Sequence, residues 1–217
     1  MAESLARRLR LVLVTPGDRA PGDTQRLIAE CVEGGVTAVW LREPQLEQTA
    51  RRELYARVLP ALREAGVFSL LSHEPALAAE LGADAVQLGH ASPTLSDARA
   101  AFPRGLVGRS AHWPLCEQDR DADLLTLSPF AATPHSHPRA LLSVEQIRAA
   151  LDELAPRPVI ALGGQDLNSV SRLPSGVAGM AVKRALGDAP DPRGRAAQLR
   201  SLLDAHFDFG GAQEFGT

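Results

Sequence analysis

The sequence predicts a single (β/α)8 barrel, and three observations carry that reading. Short runs of strand length recur eight times, each followed by a stretch with helical periodicity or by a link. The runs are apolar nearly throughout instead of alternating, which is the pattern of strands covered on both faces. Eight such units fill a chain of 217 residues, and no linker-like segment divides them. The competing arrangement, an open doubly wound sheet, lacks the GxGxxG that would follow its first strand.

The elements follow in order. LRLVLV (9–14) reads as the first strand. DTQRLIAECVEGG (23–35) places Leu27, Ile28, Cys31 and Val32 on one helical face, with Asp23 as N-cap and Gly34 and Gly35 as the stop. TAVWLR (37–42) is a strand, and the stretch 49–66 a helix containing Pro60, with a kink expected there. VFSLLS and DAVQLG are strands, each followed by a short helix, 74–82 and TLSDARAAF. GLVGRSAH (105–112) and DLLTLS (123–128) are strands joined by a poorly patterned link. A long loop then leads to SVEQIRAALDEL (143–154), where Ser143 and Gln146 fit a capping box. PVIALGG (158–164) is a strand, DLNSVSRL a short helix, GVAGMAV (176–182) the last strand, and GRAAQLRSLLDAH (194–206) the final helix. The barrel thus spans 1–206, and the glycine-rich end, 207–217, is expected to be disordered or vector-derived.

Composition narrows the partners. Apolar residues make up 45% and charged residues 23%, with a formal net charge of −3. This balance gives no support to nucleic-acid binding or to electrostatic attachment to a membrane. No apolar run approaches the roughly 18 residues of a membrane span. The basic start has too short an apolar stretch for a signal peptide. Cys31 and Cys116 lie far apart with no CxxC spacing, which predicts reduced thiols in a cytoplasmic protein.

In a barrel of this kind, function gathers at the C-terminal ends of the strands. Those ends carry Thr15, Arg42 with Glu43, Ser72 with His73, Gly89 with His90, Ser110 with His112, Ser128, Gly163 with Gly164, and Val182 with Lys183. Strands 7 and 8 form the usual phosphate end. Gly163 and Gly164 let backbone N–H groups approach an anion, and Lys183, the chain's only lysine, adds charge there. The helix after strand 8 is expected to direct its N–H groups to the same point. Arg42 has two readings: a fork onto a phosphate, or an ion pair with Glu43 or a later acid. His73 and His90 are candidates for acid–base work or ligation. His112, His135 and His137 lie in loops near the same mouth, and they read better as surface histidines than as a metal site. Ser110 has no nucleophile-elbow pattern around it.

From about residue 9 to 188, the chain resembles the thiamine phosphate synthases and their thiazole-tautomerase (TenI-type) relatives. The segments that carry the resemblance are LVLVTPGD, GVTAVWLRE, LGADAVQLGH, GRSAH, DADLLTLSPFAATP, PVIALGGQDLNSV and GVAGMAVKRAL, in that order. The resemblance implies a (β/α)8 barrel that joins hydroxymethylpyrimidine diphosphate to a thiazole phosphate and releases pyrophosphate. It assigns phosphate contacts to Arg42, Thr133, Gly163, Gly164, Val182 and Lys183, and a position near the chemistry to Ser110. Lys183 stands where the family usually has serine. Trp40 is a candidate to stack on a ligand ring, or simply a core tryptophan.

The departures bear on the cofactor. The resemblance implies Mg²⁺, yet the Asn-Asp pair expected after strand 3 is Ser72 and His73, and the acidic segment after strand 4 is HASP (90–93). The expected strand-2 glutamine and the lysine after it are Trp40 and Pro44, the loop lysine is Ser136, and the tautomerase's loop histidine falls at Pro129. No metal ligand set is therefore assigned. Three readings stay open: a divergent synthase, a TenI-like or related enzyme on a phosphorylated heterocycle, and a non-catalytic phosphate-ligand barrel. In each the partner is a small phosphorylated heterocycle, and self-association into a homo-oligomer is left open.

Overall fold

Each apolar run becomes a strand with both faces covered. The computed structural model describes residues 2–90, 92–131 and 140–209. β1 (Leu11–Val14), β2 (Ala38–Leu41), β3 (Phe68–Ser72), β4 (Ala85–Leu88), β5 (Leu106–Ala111), β6 (Leu124–Leu127), β7 (Val159–Ala161) and β8 (Gly179–Val182) form a closed parallel barrel in chain order. β8 returns to pair with β1, so the sheet has no free edge. Helices α2 (Pro21–Glu33), α3 (Gln48–Glu64), α4 (Pro75–Leu81), α5 (Leu95–Ala101) and α7 (Val144–Leu154) alternate with the strands as periodicity predicts, except that α2 starts at Pro21 with Ala20 as its N-cap, leaving Asp23 in the first turn.

Two cores explain why the strands read as continuous apolar runs. Leu11, Leu13, Val39, Leu71 and Leu125 face the helices. Their neighbours Val12, Val14, Trp40, Leu70 and Ile160 fill the barrel interior. The strand period of two sends successive side chains into different cores. The ladder then aligns the inward residues across strands: Val14 lies opposite Trp40, Trp40 opposite Leu70, Ser72 opposite Gln87, and Ser110 opposite Thr126.

The connections hold several differences from the sequence-based expectations. α1 (Ala2–Arg8) precedes the first strand, and its Leu5 and Ala6 pack with Leu9 against the interior core at the N-terminal end. The patternless link after β5 contains α6 (Glu117–Asp121), begun by a cap in which the Cys116 N–H donates to Asp119 at 3.0 Å. The stretch after β7 is a 3-10 helix, Leu167–Arg172, with Asp166 accepting from the N–H groups of Asn168 and Ser169 at 2.9 and 3.0 Å. The chain after β8 enters a separate short helix, α8 (Arg184–Gly187), before the long α9 (Pro192–Phe209). The helix whose N-terminus follows Lys183 is thus this single turn, which the sequence reading did not separate, while the long final helix starts at Pro192, two residues before the expected 194. α9 also runs three residues past 206, because Phe207 packs on the core and the Arg10 guanidinium stacks 4.6 Å from its ring. The rest of the expected tail lies outside the described residues.

Both cysteines are free. Burial pushes the Cys31 thiol up to about 12, so it stays protonated as a core residue. Among the described residues, no helix is long and apolar enough to cross a membrane.

Candidate active site

The alternation that fills the barrel also sets what its C-terminal mouth contains. The topmost inward positions turn polar: Ser72, Gln87, Ser110 and Thr126. The Trp40 indole N–H donates to Ser72 Oγ at 2.7 Å, and the residue is only 6% exposed. Gln87 is fully buried; its amide N–H₂ donates to Ser110 and Thr126 at 3.3 and 3.2 Å. Its Oε1 has no hydrogen-bond partner among the described residues. A side chain at Gly108 would put its Cβ 2.3 Å from that oxygen, so glycine keeps the space open. Ser110 is thus one member of an interior polar network rather than an isolated hydroxyl. Sequence reasoning passed over Gln87 and Thr126, although a polar residue inside an otherwise apolar strand was the available signal.

Above this layer stand two cations. Thr15, fully buried, accepts the Arg42 backbone N–H at 2.8 Å, while its own N–H donates to Trp40 O at 3.0 Å. That clasp ties the ends of β1 and β2 and fixes where Arg42 leaves the sheet. Among the described residues, the Arg42 guanidinium has no ion pair. The pairing with Glu43 that the sequence allowed does not form: Glu43 is 1% exposed and accepts from Gln45 Nε2 at 2.7 Å. The Lys183 ammonium likewise has no salt bridge among the described residues. Desolvation holds its pKa below the ordinary lysine value, and the charges of Arg42 and Arg184 add to that, against weaker pulls from Asp18 and Glu43. Two cations therefore sit near enough to repel each other, neither in an ion pair among the described residues.

Gly163 and Gly164 follow β7 with φ of 97° and 60°, in the left-handed region that favours glycine. β7 pairs with β8 up to Ala161 and Met180, so the two glycines and Lys183 follow the same ends of adjacent strands. The Gly163 carbonyl is occupied, accepting from Ala131 N–H at 3.1 Å and from Gln165 Nε2 at 2.8 Å. Val182 is buried with its side chain in the helix-facing core, so only its backbone can meet a ligand.

The end of β3 forms the other wall. A cavity of about 280 Å³ opens there, lined by Arg42, Glu43, Arg51, Ser72, His73 and Glu74. Arg51 of α3 binds Glu74 through two hydrogen bonds of 2.8 Å and also donates to Leu46 O. Tyr55 backs this wall; burial, helped by the nearby Glu43 charge, raises its pKa and keeps the phenol neutral. The His73 ring touches Ser92 Oγ through Nδ1. Desolvation, then Arg42, lowers the His73 pKa, against the pull of Glu74. The structure separates the two histidine candidates. His90 is exposed after β4 and makes no hydrogen bond to a described residue, while His73 lines the cavity. His112 is held at the rim by Ser128, with Nδ1 2.9 Å from the carbonyl oxygen. Thr133, His135 and His137 lie outside the described residues.

A hard divalent cation takes carboxylate oxygens. Where the resemblance would place its ligands, this chain has a hydroxyl and an imidazole, and the adjacent Glu74 is committed to Arg51. Among the described residues, no three His, Cys, Asp or Glu side chains converge on one point. These groups do not fit Mg²⁺.

Comparison with known proteins places this chain in a family. Residues 11–186 match the family described as thiamine monophosphate synthase. The chain belongs to that thiamine phosphate synthase/TenI family. It is 38% identical to the thiamine-phosphate synthase of Thermus thermophilus over 184 residues, covering 83% of this chain and 87% of the relative. It is 34% identical to that of Thiobacillus denitrificans over 197 residues, covering 86% and 92%. Among solved structures, a thiamine phosphate pyrophosphorylase from Pyrococcus furiosus superposes with a TM-score of 0.79 at 23% identity, covering 92% of this chain and 98% of that one. The fold is shared more widely: a 3-hexulose-6-phosphate synthase from Salmonella typhimurium gives a TM-score of 0.66 at 16% identity, covering 91% and 99%.

Proposed function

We propose that this family member joins hydroxymethylpyrimidine diphosphate to a thiazole phosphate, releasing pyrophosphate. The observation that carries the reading is the pair of cations, Arg42 and Lys183, after the two strands that flank β1 at one mouth, neither in an ion pair among the described residues. Holding two such charges close together opposes folding, and an anionic ligand relieves it. Arg42 opens on the cavity at β2 and β3, where its fork suits a diphosphate. Lys183 follows β8, the neighbour of the strand that leads into the glycines, where it and the Gly164 N–H suit the thiazole phosphate. In the reaction, the bond between the pyrimidine methylene carbon and the diphosphate oxygen breaks, and the diphosphate leaves with the electron pair. The thiazole nitrogen lone pair then forms the new C–N bond, and the product ring carries the positive charge. Arg42 stabilises charge where it develops, on the leaving group. Trp40 at the floor offers an aromatic edge to the pyrimidine.

Ser72 and His73, in place of the Asn-Asp pair that the resemblance implies, favour a second reading, in which the barrel binds or isomerises a thiazole phosphate and never meets the pyrimidine. One experiment separates the two. The protein is incubated with both precursors, with and without added Mg²⁺, and thiamine phosphate and pyrophosphate are quantified by chromatography. Equal amounts of both products support the synthase. A thiazole phosphate that is bound or isomerised, with no joined product under either condition, overturns it.

A further inference from the structure

We infer that Ser92 is a positioning residue that fixes His73 as the Nε2–H tautomer, so that a neutral imidazole N–H is offered to the ligand's diphosphate. The inference deepens the proposed function and rests on its placing a diphosphate in the β2–β3 cavity. The chain of donors sets the proton positions. The Gly89 backbone N–H donates to Ser92 Oγ at 2.7 Å, leaving that hydroxyl its own proton to give. Its contact is His73 Nδ1. If Nδ1 carried the proton instead, Ser92 would accept twice, and its hydroxyl hydrogen would have no described acceptor. The arrangement that uses every donor has Ser92 donating to an unprotonated Nδ1, which leaves the proton on Nε2.

The backbone is built around this contact. His73 is the one described non-glycine residue with positive φ, at 64°. Its N–H is tied to Gln87 O at 3.0 Å. The ring lies over Gly89, where a Cβ would come 2.9 Å from His73 Cε1, so a side chain there would displace it. An uncommon backbone conformation held from three sides marks a residue whose placement matters. Nε2 makes no hydrogen bond to a described residue, and His73 lines the cavity beside Arg42.

Neutrality suits the surroundings. The charged groups around His73 are Arg42 from the end of β2 and Glu74 beside it, the latter bound to Arg51. A second full cation next to Arg42 would be repelled, whereas a neutral N–H adds a hydrogen bond to an anion without that cost. This is a different solution from carboxylates and a metal at the same strand end.

The test uses the intact protein, ¹⁵N-labelled at histidine, with inorganic pyrophosphate as the probe. Long-range ¹H–¹⁵N spectra near pH 7.5 read the tautomer, and His73→Gln assigns the signal. The expected result is an Nε2–H tautomer in the wild type whose Nε2 resonance shifts on adding pyrophosphate. Ser92→Ala should mix the tautomers and weaken pyrophosphate binding about three- to tenfold, the range for one lost hydrogen bond. Ser92→Thr, which keeps the hydroxyl, should restore both. A wild-type Nδ1–H tautomer, or a Ser92→Ala protein with unchanged tautomer and affinity, overturns the inference. A His73 resonance that ignores bound pyrophosphate overturns the donor role. Precursors left unjoined while this relay behaves as described would count against the synthase reading alone.

Discussion

The two ends of the barrel use the same kinds of side chain to opposite effect. At the N-terminal end, charges are settled. Arg8 pairs with Asp84 at 3.3 Å and stacks 4.7 Å from the Phe68 ring centroid. Asp84 also accepts from the Ser69 N–H and hydroxyl at 2.9 and 2.8 Å, and Arg10 reaches Asp204 and Asp208. At the C-terminal end, Arg42 and Lys183 have no ion pair among the described residues. Surroundings, not residue type, decide which charge supports the fold and which is kept for a ligand. The bottom end is closed by α1 and can be packed for stability alone, while the top end leaves polar groups facing an opening.

Substitutions at the two ends should therefore separate stability from binding. The largest effect is expected from Phe68→Ala, which empties a fully packed interior position and should cost about 3–5 kcal/mol in denaturant unfolding. Arg42→Ala should do the reverse, lowering pyrophosphate affinity or kcat/KM roughly 100-fold with little change in Tm, as loss of a charged hydrogen-bonding fork does. A large fall in Tm for Arg42→Ala would break the contrast. Asp84→Ala strands the Ser69 donors and Arg8 and should cost about 1–3 kcal/mol, with ligand affinity unchanged by calorimetry. Lys183→Ala should weaken thiazole phosphate binding by about 5–10-fold, since the neighbouring glycine amides remain. The same ammonium gives a pH signature. Because its pKa is depressed, it loses its proton below the usual value of about 10.4. Thiazole phosphate affinity in the wild type should therefore fall as pH rises through that lowered pKa, and Lys183→Ala should abolish this limb.

The eight strands, and the residues at their ends, were legible from the sequence. Strands covered on both faces must be apolar throughout, and a period of two leaves no freedom over which side chains face inward. That sufficed to place Arg42, Ser72, Ser110 and Lys183 around one mouth. It did not show that Arg42 avoids Glu43, its nearest acid in the chain, or that His73 enters the cavity while His90 stays outside. Nor did it show Ser92 meeting His73 across 19 positions, or Leu5 and Ala6 belonging to a helix that packs on the barrel floor. Local pattern fixes the face a residue takes, because that depends on backbone geometry over a few residues. Which partner it finds on that face depends on register, closure and the loops between strands, and those are set only when the whole sheet has closed.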